Sequence, residues 1–132
     1  MRNDQPLVLC VDDDPDFLDS LRMILENNRY AIETATSAEE GLRKYKALKP
    51  DLVLVDLMME EVDAGTSFVK EIKALGATPP VFMLSSVGDS LNTNIDYAAL
   101  GLAGVLQKPI DPNVLIKTLR AKLSWPRSAD KR

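Results

Sequence analysis

Short apolar runs alternate along the chain with longer segments whose apolar residues recur every three or four positions. Five of the runs are too short for a helix and have the length of a strand. They are Leu7–Val11, Tyr30–Ala35, Leu52–Asp56, Val81–Ser85 and Gly104–Gln107. The first, third and fourth are apolar almost throughout, which is typical of central parallel strands covered on both faces. The alternation therefore predicts βα units around a parallel sheet.

Five segments between and after these runs carry a helical pattern of apolar residues. In chain order the apolar positions are Phe17, Leu21, Ile24 and Leu25; Ala38, Leu42 and Tyr45; Phe68, Ile72 and Leu75; Leu91, Ile95, Ala98 and Ala99; and Leu115, Leu119 and Leu123. Ser37 and Glu40 have the spacing of a capping box, and Asp111 followed by Pro112 is a typical helix start.

The predicted fold is thus an α/β (βα)5 chain. Because a closed barrel needs eight such units, five units form an open, doubly wound, five-stranded parallel sheet. We predict the flavodoxin-like strand order 2-1-3-4-5. We also expect one domain over residues 1–123, followed by a tail or the start of a linker at 124–132, where "SWPRSADKR" shows no periodicity.

The composition of the chain excludes several classes of function. The chain has 132 residues, 45% of them hydrophobic, and a net charge of -4, which argues against binding nucleic acid or an anionic membrane through general positive charge. No apolar run has the length of a membrane span, so we expect a cytoplasmic protein. Cys10 is the only cysteine and there is no histidine, which excludes internal disulfides, histidine-based catalysis and common zinc sites.

Polar residues stand at the carboxyl ends of the predicted strands, the edge where open α/β sheets bind ligands. They are Asp12, Asp13 and Asp14 after the first strand, Asp56 at the end of the third, Ser85 at the end of the fourth and Lys108 after the fifth. Asp14 precedes Pro15, so we interpret it as a helix N-cap. Asp12 and Asp13 then remain, with Asp56, as hard oxygen ligands for a divalent cation such as Mg²⁺.

Asp56 lies in a strongly apolar strand, and such a carboxylate can accept a phosphoryl group as an aspartyl phosphate if a metal neutralises the incoming charge. Lys108 would supply a second positive charge, and Ser85 a hydrogen bond to a phosphoryl oxygen. Each residue alone has a plainer explanation, since serines often end strands and a lysine before proline is usually solvated. Their joint placement favours a phosphorylation site.

With these residues, the sequence resembles the CheY-like receiver domain of bacterial two-component response regulators over about residues 7–123. The resemblance rests on the acidic pair Asp12 and Asp13, on Asp56 in "DLVLVDLMM", on Ser85 in "VFMLSS" and on the lysine and proline of "GVLQKPI". It implies that Asp56 accepts a phosphoryl group from the phosphohistidine of a sensor histidine kinase or phosphotransfer protein.

The resemblance also implies the ligands and the output of the site. Asp12, Asp13, Asp56 and the backbone carbonyl of Met58 would bind Mg²⁺. Ser85 and Lys108 would bind the phosphoryl oxygens and couple phosphorylation to a surface change. Such a domain is a signalling switch rather than an enzyme, although it catalyses its own phosphorylation and slowly hydrolyses its own acyl phosphate. It acts on a downstream protein target or output domain, and a homodimer on activation is a further possibility.

Several positions depart from the family pattern. Glu60 stands where the family usually has proline, and Val105 stands where it usually has an aromatic switch side chain. Met58 and Val87 occupy positions that tune the lifetime of the phosphoryl group in the family.

Two alternative functions have weaker support in the sequence. One is a pseudo-receiver, which uses the same fold as a binding module without phosphorylation. The other is a haloacid-dehalogenase-like phosphatase, which expects an Asp-x-Asp motif with a nearby threonine and a longer chain with a cap; "DDDPD" followed by Phe17 fits this pattern poorly. The first predicts no phosphoryl uptake, and the second predicts multiple-turnover hydrolysis of phosphoesters.

Overall fold

The computed structural model describes residues 5–56, 64–76, 78–85 and 101–123, except for the side chains of 64–66. Its elements are β1 Leu7–Val11, α1 Pro15–Asn27, β2 Ala31–Ala35, α2 Ala38–Leu48, β3 Leu52–Asp56, α3 Ala64–Ala74, β4 Val81–Ser85, β5 Gly104–Gln107 and α4 Pro112–Leu123. Several predictions concern residues outside the described part, namely the helix near 91–99, Met58, Glu60, Val87 and the tail at 124–132. The domain boundary at residue 123 stays a prediction.

The five strands form one sheet in the order β2-β1-β3-β4-β5, and every neighbouring pair is parallel. This confirms the predicted fold class and strand order. The register aligns Val11 with Val55 and Asp56 with Leu84, so the carboxyl ends of the central strands lie at one edge. Among the described helices, none combines the length and the apolar character that a bilayer crossing requires.

The apolar strands divide their side chains between two core layers. Residues such as Val8 and Cys10 pack with α1 and α4 on one face of the sheet, whereas Leu9 and Val11 pack with α2 and α3 on the other. Because successive side chains of a strand point to opposite faces, a strand covered on both sides must be apolar throughout. β1, β3 and β4 are buried at all of their positions.

Helix caps follow the sequence signals closely. The Asp14 carboxylate accepts a hydrogen bond from the Asp16 amide at the start of α1, and the Ser37 hydroxyl accepts one from the Glu40 amide at the start of α2. Glu40 bonds back to the Thr36 amide rather than to that of Ser37, which shifts the predicted capping box by one residue. These side chains satisfy amides that have no partner within the helix.

The end of α3 differs from the sequence pattern. The helix ends at Ala74, and Leu75 is 57% exposed, so it does not extend the buried face formed by Phe68 and Ile72. Gly76 follows with a φ of +125°, a backbone conformation that side chains rarely permit.

Candidate functional site

The end of β1 turns directly into the first helix and fixes one carboxylate as it does so. Asp12 is completely buried, and its amide donates to the Ala35 carbonyl of the neighbouring strand end at 2.9 Å. Its Oδ1 accepts a hydrogen bond from the Asp14 amide at 2.9 Å. The next residue, Asp13, is exposed. The turn therefore points one acid inward and leaves its neighbour accessible to solvent.

Three carboxylates gather beyond this turn. Asp12, Asp13 and Asp56 each offer one oxygen, and these oxygens all lie within 4.8 Å of one another. Asp56 is only 4% exposed at the end of β3. A compact set of hard oxygen ligands suits Mg²⁺, which is typically held by a few carboxylates while water and phosphate oxygens complete its octahedron. The three carboxylates that the sequence predicted as ligands are thus brought together, and they fit such an ion.

Lys108 places its ammonium between two of these carboxylates. Its Nζ donates to Asp12 Oδ2 at 2.7 Å and lies 3.6 Å from Asp56 Oδ1. Burial alone would lower the pKa of Lys108, but the hydrogen bond to Asp12 and the charges of Asp12 and Asp56 outweigh it, and the net effect is a raised pKa. The side chain is 16% exposed, so the plainer sequence interpretation of a solvated lysine is wrong.

Ser85 ends β4 and is 3% exposed. Its carbonyl accepts a hydrogen bond from the Lys108 amide at 2.7 Å, because the pairing of β4 with β5 continues for one residue past the strand. The peptide bond between Lys108 and Pro109 is cis. Ser85 and Lys108 are therefore joined through their backbones at the same edge as the acidic group.

Burial sets this edge apart from the rest of the described molecule. Within the described ranges, the buried polar or charged side chains are those of Asp12, Asp56 and Ser85. Such side chains are costly to bury and are usually held in place by hydrogen bonds or opposite charge. Their concentration at one edge marks it as the candidate site.

Sequence reasoning missed one residue of this site. Phe17, interpreted from its spacing only as part of the apolar face of α1, has its ring centroid 4.4 Å from Lys108 Nζ. A cation at this distance from an aromatic ring is attracted to it. The available signal was the position of an aromatic residue one turn beyond an acidic strand end, but the sequence does not indicate which cation it meets.

Comparison with known proteins identifies the family. The response regulator receiver domain model matches residues 8–120. The transcriptional regulatory protein CseB of Streptomyces coelicolor is 33% identical over 120 residues, which are 91% of this chain and 50% of that protein. The transcriptional regulatory protein GlrR of Escherichia coli is 36% identical over 112 residues, which are 85% of this chain and 25% of that protein. The chain thus spans half or less of the length of these relatives.

Solved structures give the same result. A putative response regulator from Chloroflexus aurantiacus superposes with a TM-score of 0.80 at 28% identity, covering 91% of this chain and 98% of that one. A CheY-like response regulator receiver domain protein from Methanospirillum hungatei superposes with a TM-score of 0.77 at 28% identity, covering 91% of this chain and 94% of that one. The chain belongs to the response regulator receiver domains, the signalling switches of two-component systems.

Proposed function

We propose that this receiver takes a phosphoryl group onto Asp56 in the presence of Mg²⁺ and thereby switches its contacts with other proteins. One observation carries the proposal: the buried Asp56 carboxylate lies in the three-acid cluster and 3.6 Å from the Lys108 ammonium. A phosphoryl group on Asp56 would be surrounded by the positive charge that its transfer requires.

The metal would be held by carboxylate oxygens of Asp12, Asp13 and Asp56, with the backbone carbonyl of Met58 as a further ligand. Bound Mg²⁺ would neutralise the negative charge of the carboxylates and bind an oxygen of the incoming phosphoryl group. The cluster fits this role because it combines two buried acids with an exposed one, which leaves a side open to water and to a phosphodonor.

In the transfer step an Asp56 oxygen attacks the phosphorus of a phosphohistidine. The new O–P bond forms as the N–P bond breaks, and the bonding electrons return to the imidazole nitrogen of the donor. Lys108 would exchange its hydrogen bond to Asp12 for one to a phosphoryl oxygen, and the Ser85 hydroxyl would donate to another. Since catalysis consists of positioning and charge neutralisation, it needs no histidine in this chain.

The donor would be a sensor histidine kinase or a phosphotransfer protein in the cytoplasm. The receiver would hydrolyse its own acyl phosphate slowly. Its output would be a contact with a downstream protein target or output domain, or a homodimer, without direct binding of nucleic acid or membrane. Lys108 directly follows β5, and Ser85 pairs with Gln107 at the end of that strand. Val105 of β5 is 39% exposed, so movement of Ser85 and Lys108 would reach the surface through β5.

The test is incubation of the protein with acetyl phosphate and Mg²⁺, followed by intact-mass spectrometry. We expect the mass of one phosphoryl group to be added in the wild type and to be absent in Asp56→Asn. Asp19→Asn, which alters an exposed acid of α1, is the matched control and should be phosphorylated normally. A folded wild type that stays unmodified with several donors would support the pseudo-receiver, and rapid turnover of unrelated phosphoesters would support the phosphatase.

A further inference from the structure

We infer that Phe17 is a positioning residue, whose ring holds the Lys108 ammonium beside Asp12 and Asp56 in readiness for the phosphoryl group. The contact between the Phe17 ring and the Lys108 ammonium is present in the structure. Its consequence for phosphorylation rests on the function proposed above.

The contact is close and largely sheltered from water. The Phe17 ring centroid lies 4.4 Å from Lys108 Nζ, within the range of about 6 Å over which a ring attracts a cation. The Lys108 side chain is only 16% exposed. Because removal of water strengthens the attraction between a cation and a ring, this pair is stronger than one on the open surface.

The start of α1 holds the Phe17 ring in place. Phe17 lies in the first turn of α1, which Asp14 caps, and it packs partly buried against the core. The next residue, Leu18, is 4% exposed and anchors the same turn. The amide of Asp14 also holds Asp12 Oδ1, so one helix start fixes both the ring and the buried carboxylate that Lys108 contacts.

An aromatic ring suits this position for a chemical reason. Lysine has a flexible stem and a point charge, so it loses considerable side-chain freedom when it is held at one place. A carboxylate would hold it but would compete with the phosphoryl group for the same hydrogen bonds. A ring attracts the ammonium without accepting a strong hydrogen bond, and it leaves Lys108 able to move from Asp12 to a phosphoryl oxygen.

The plainer explanation is that Phe17 only fills space at the edge of the core. Both explanations predict some loss of stability when Phe17 is shortened, so stability alone cannot separate them. The variants that do so are Phe17→Leu, which keeps an apolar side chain but removes the ring, and Phe17→Tyr, which keeps the ring. Ile24→Val is the matched control, because Ile24 is partly buried against the same core elsewhere on α1.

The first measurement is the proton NMR shift of the Lys108 ε-methylene, which reports the ring directly and does not depend on phosphorylation. We expect an upfield ring-current shift in the wild type, in Phe17→Tyr and in Ile24→Val, and its loss in Phe17→Leu. Equal shifts in Phe17→Leu and the wild type would overturn the inference.

The second measurement is the initial rate of phosphorylation by subsaturating acetyl phosphate, with the melting temperature of each variant recorded. We expect Phe17→Leu to be slower by roughly three- to tenfold, and Phe17→Tyr and Ile24→Val to keep the wild-type rate. In a Lys108→Ala background, Phe17→Leu should have no further effect, because the ring then has no ammonium to hold.

Two results of the phosphorylation assay would be contradictory evidence, one against the role of Phe17 alone and the other against the proposed function. If the wild type is phosphorylated and Phe17→Leu matches it in rate, the role of Phe17 is refuted while the proposed function stands. If the wild type takes no phosphoryl group from any donor, the proposed function fails and Phe17 has no reaction to serve, whatever the NMR shift shows of its contact.

Discussion

Lys108 and Asp12 form an ion pair in which the carboxylate is completely buried and the lysine is 16% exposed. Removing a carboxylate from water costs several kcal/mol, and here a 2.7 Å hydrogen bond from Lys108 and a second bond from the Asp14 amide offset that cost. Pairs of this kind seldom add net stability compared with apolar residues of the same size. Under the proposed function, this pair holds the Lys108 ammonium beside the carboxylates at which a metal and a phosphoryl group would bind.

We predict that Lys108→Met destabilises the fold by about 2–4 kcal/mol at neutral pH, because it leaves the buried Asp12 without its counter-charge. Urea unfolding measures the change. The double variant Asp12→Asn with Lys108→Met should recover part of the loss, because the buried Asp12 charge is then removed together with its partner, whereas Asp56 still lacks the ammonium that lies 3.6 Å away in the wild type. Lys117→Met, which changes an exposed lysine of α4, is the control and should stay within about 0.5 kcal/mol of the wild type. A loss in Lys108→Met no larger than that of the control would contradict the prediction.

Helix α2 approaches the sheet most closely at Gly41, although the sequence pattern pointed to Ala38, Leu42 and Tyr45. Gly41 is the buried residue of this helix, whereas those three are partly buried. A Cβ built on Gly41 would lie 2.7 Å from Val11 Cγ2. The absence of a side chain at Gly41 therefore allows α2 to lie this close to the end of β1.

Gly41→Ala should accordingly lower the free energy of unfolding by about 1–2 kcal/mol. An alanine in a helix interior normally gains about 1 kcal/mol over glycine, so a net loss would show that the clash with Val11 dominates. A double-mutant cycle tests this: urea unfolding compares Gly41→Ala, Val11→Ala and the double variant with the wild type. The cost of Gly41→Ala should shrink in the Val11→Ala background, and a Gly41→Ala protein more stable than the wild type would refute the close contact.

The start of α2 makes stability depend on pH. The hydrogen bond from the Thr36 amide lowers the pKa of Glu40 below its usual value of 4.5; burial opposes this shift, and the nearby Lys44 ammonium supports it. Because the folded pKa lies below the unfolded one, the charged carboxylate stabilises the fold above pH 4.5, and this contribution is lost as the pH falls through the folded pKa.

Glu40→Gln should therefore cost less than about 1 kcal/mol at neutral pH, and the difference from the wild type should shrink as the solution becomes acidic. Thermal unfolding at neutral and acidic pH measures it. Glu39→Gln is the control, because it removes an exposed carboxylate of the same turn without touching the Thr36 hydrogen bond. A difference that is constant across this pH range would count against the assignment.

These elements show what a sequence pattern can and cannot predict. Strand runs and caps such as Asp14 and Ser37 depend on neighbours along the chain, and they were predicted nearly to the residue. The role of Gly41, the exposure of Leu75 and the contact of Phe17 with Lys108 depend on how distant segments pack. Periodicity identifies an inward face, but it does not give the distance to the opposing surface or the identity of a residue far away in sequence.

At the scale of the whole molecule, topology explains why the candidate site could be located in advance. Parallel strands with the order 2-1-3-4-5 bring their carboxyl ends to one edge, so acids that follow β1 and end β3 must become neighbours. Strand order alone does not predict which carboxylate Lys108 contacts. Its closest carboxylate is Asp12 at 2.7 Å rather than Asp56 at 3.6 Å, a preference that depends on side-chain geometry and not on strand order.

The same edge concentrates negative charge in a chain that already has a net charge of -4, and bound Mg²⁺ should therefore stabilise the entire fold. A ligand that binds only the folded state adds about 2.7 kcal/mol at one hundred times its dissociation constant. We predict that the melting temperature rises with Mg²⁺ but not with Na⁺ at equal ionic strength, as measured by circular dichroism. Asp13→Asn should weaken this response, because Asp13 is the exposed member of the three-acid cluster proposed to hold the ion. Asp14→Asn should retain it, because asparagine also caps helices well and Asp14 lies outside the cluster. Equal responses of the Asp13→Asn and Asp14→Asn proteins would show that the ion binds elsewhere.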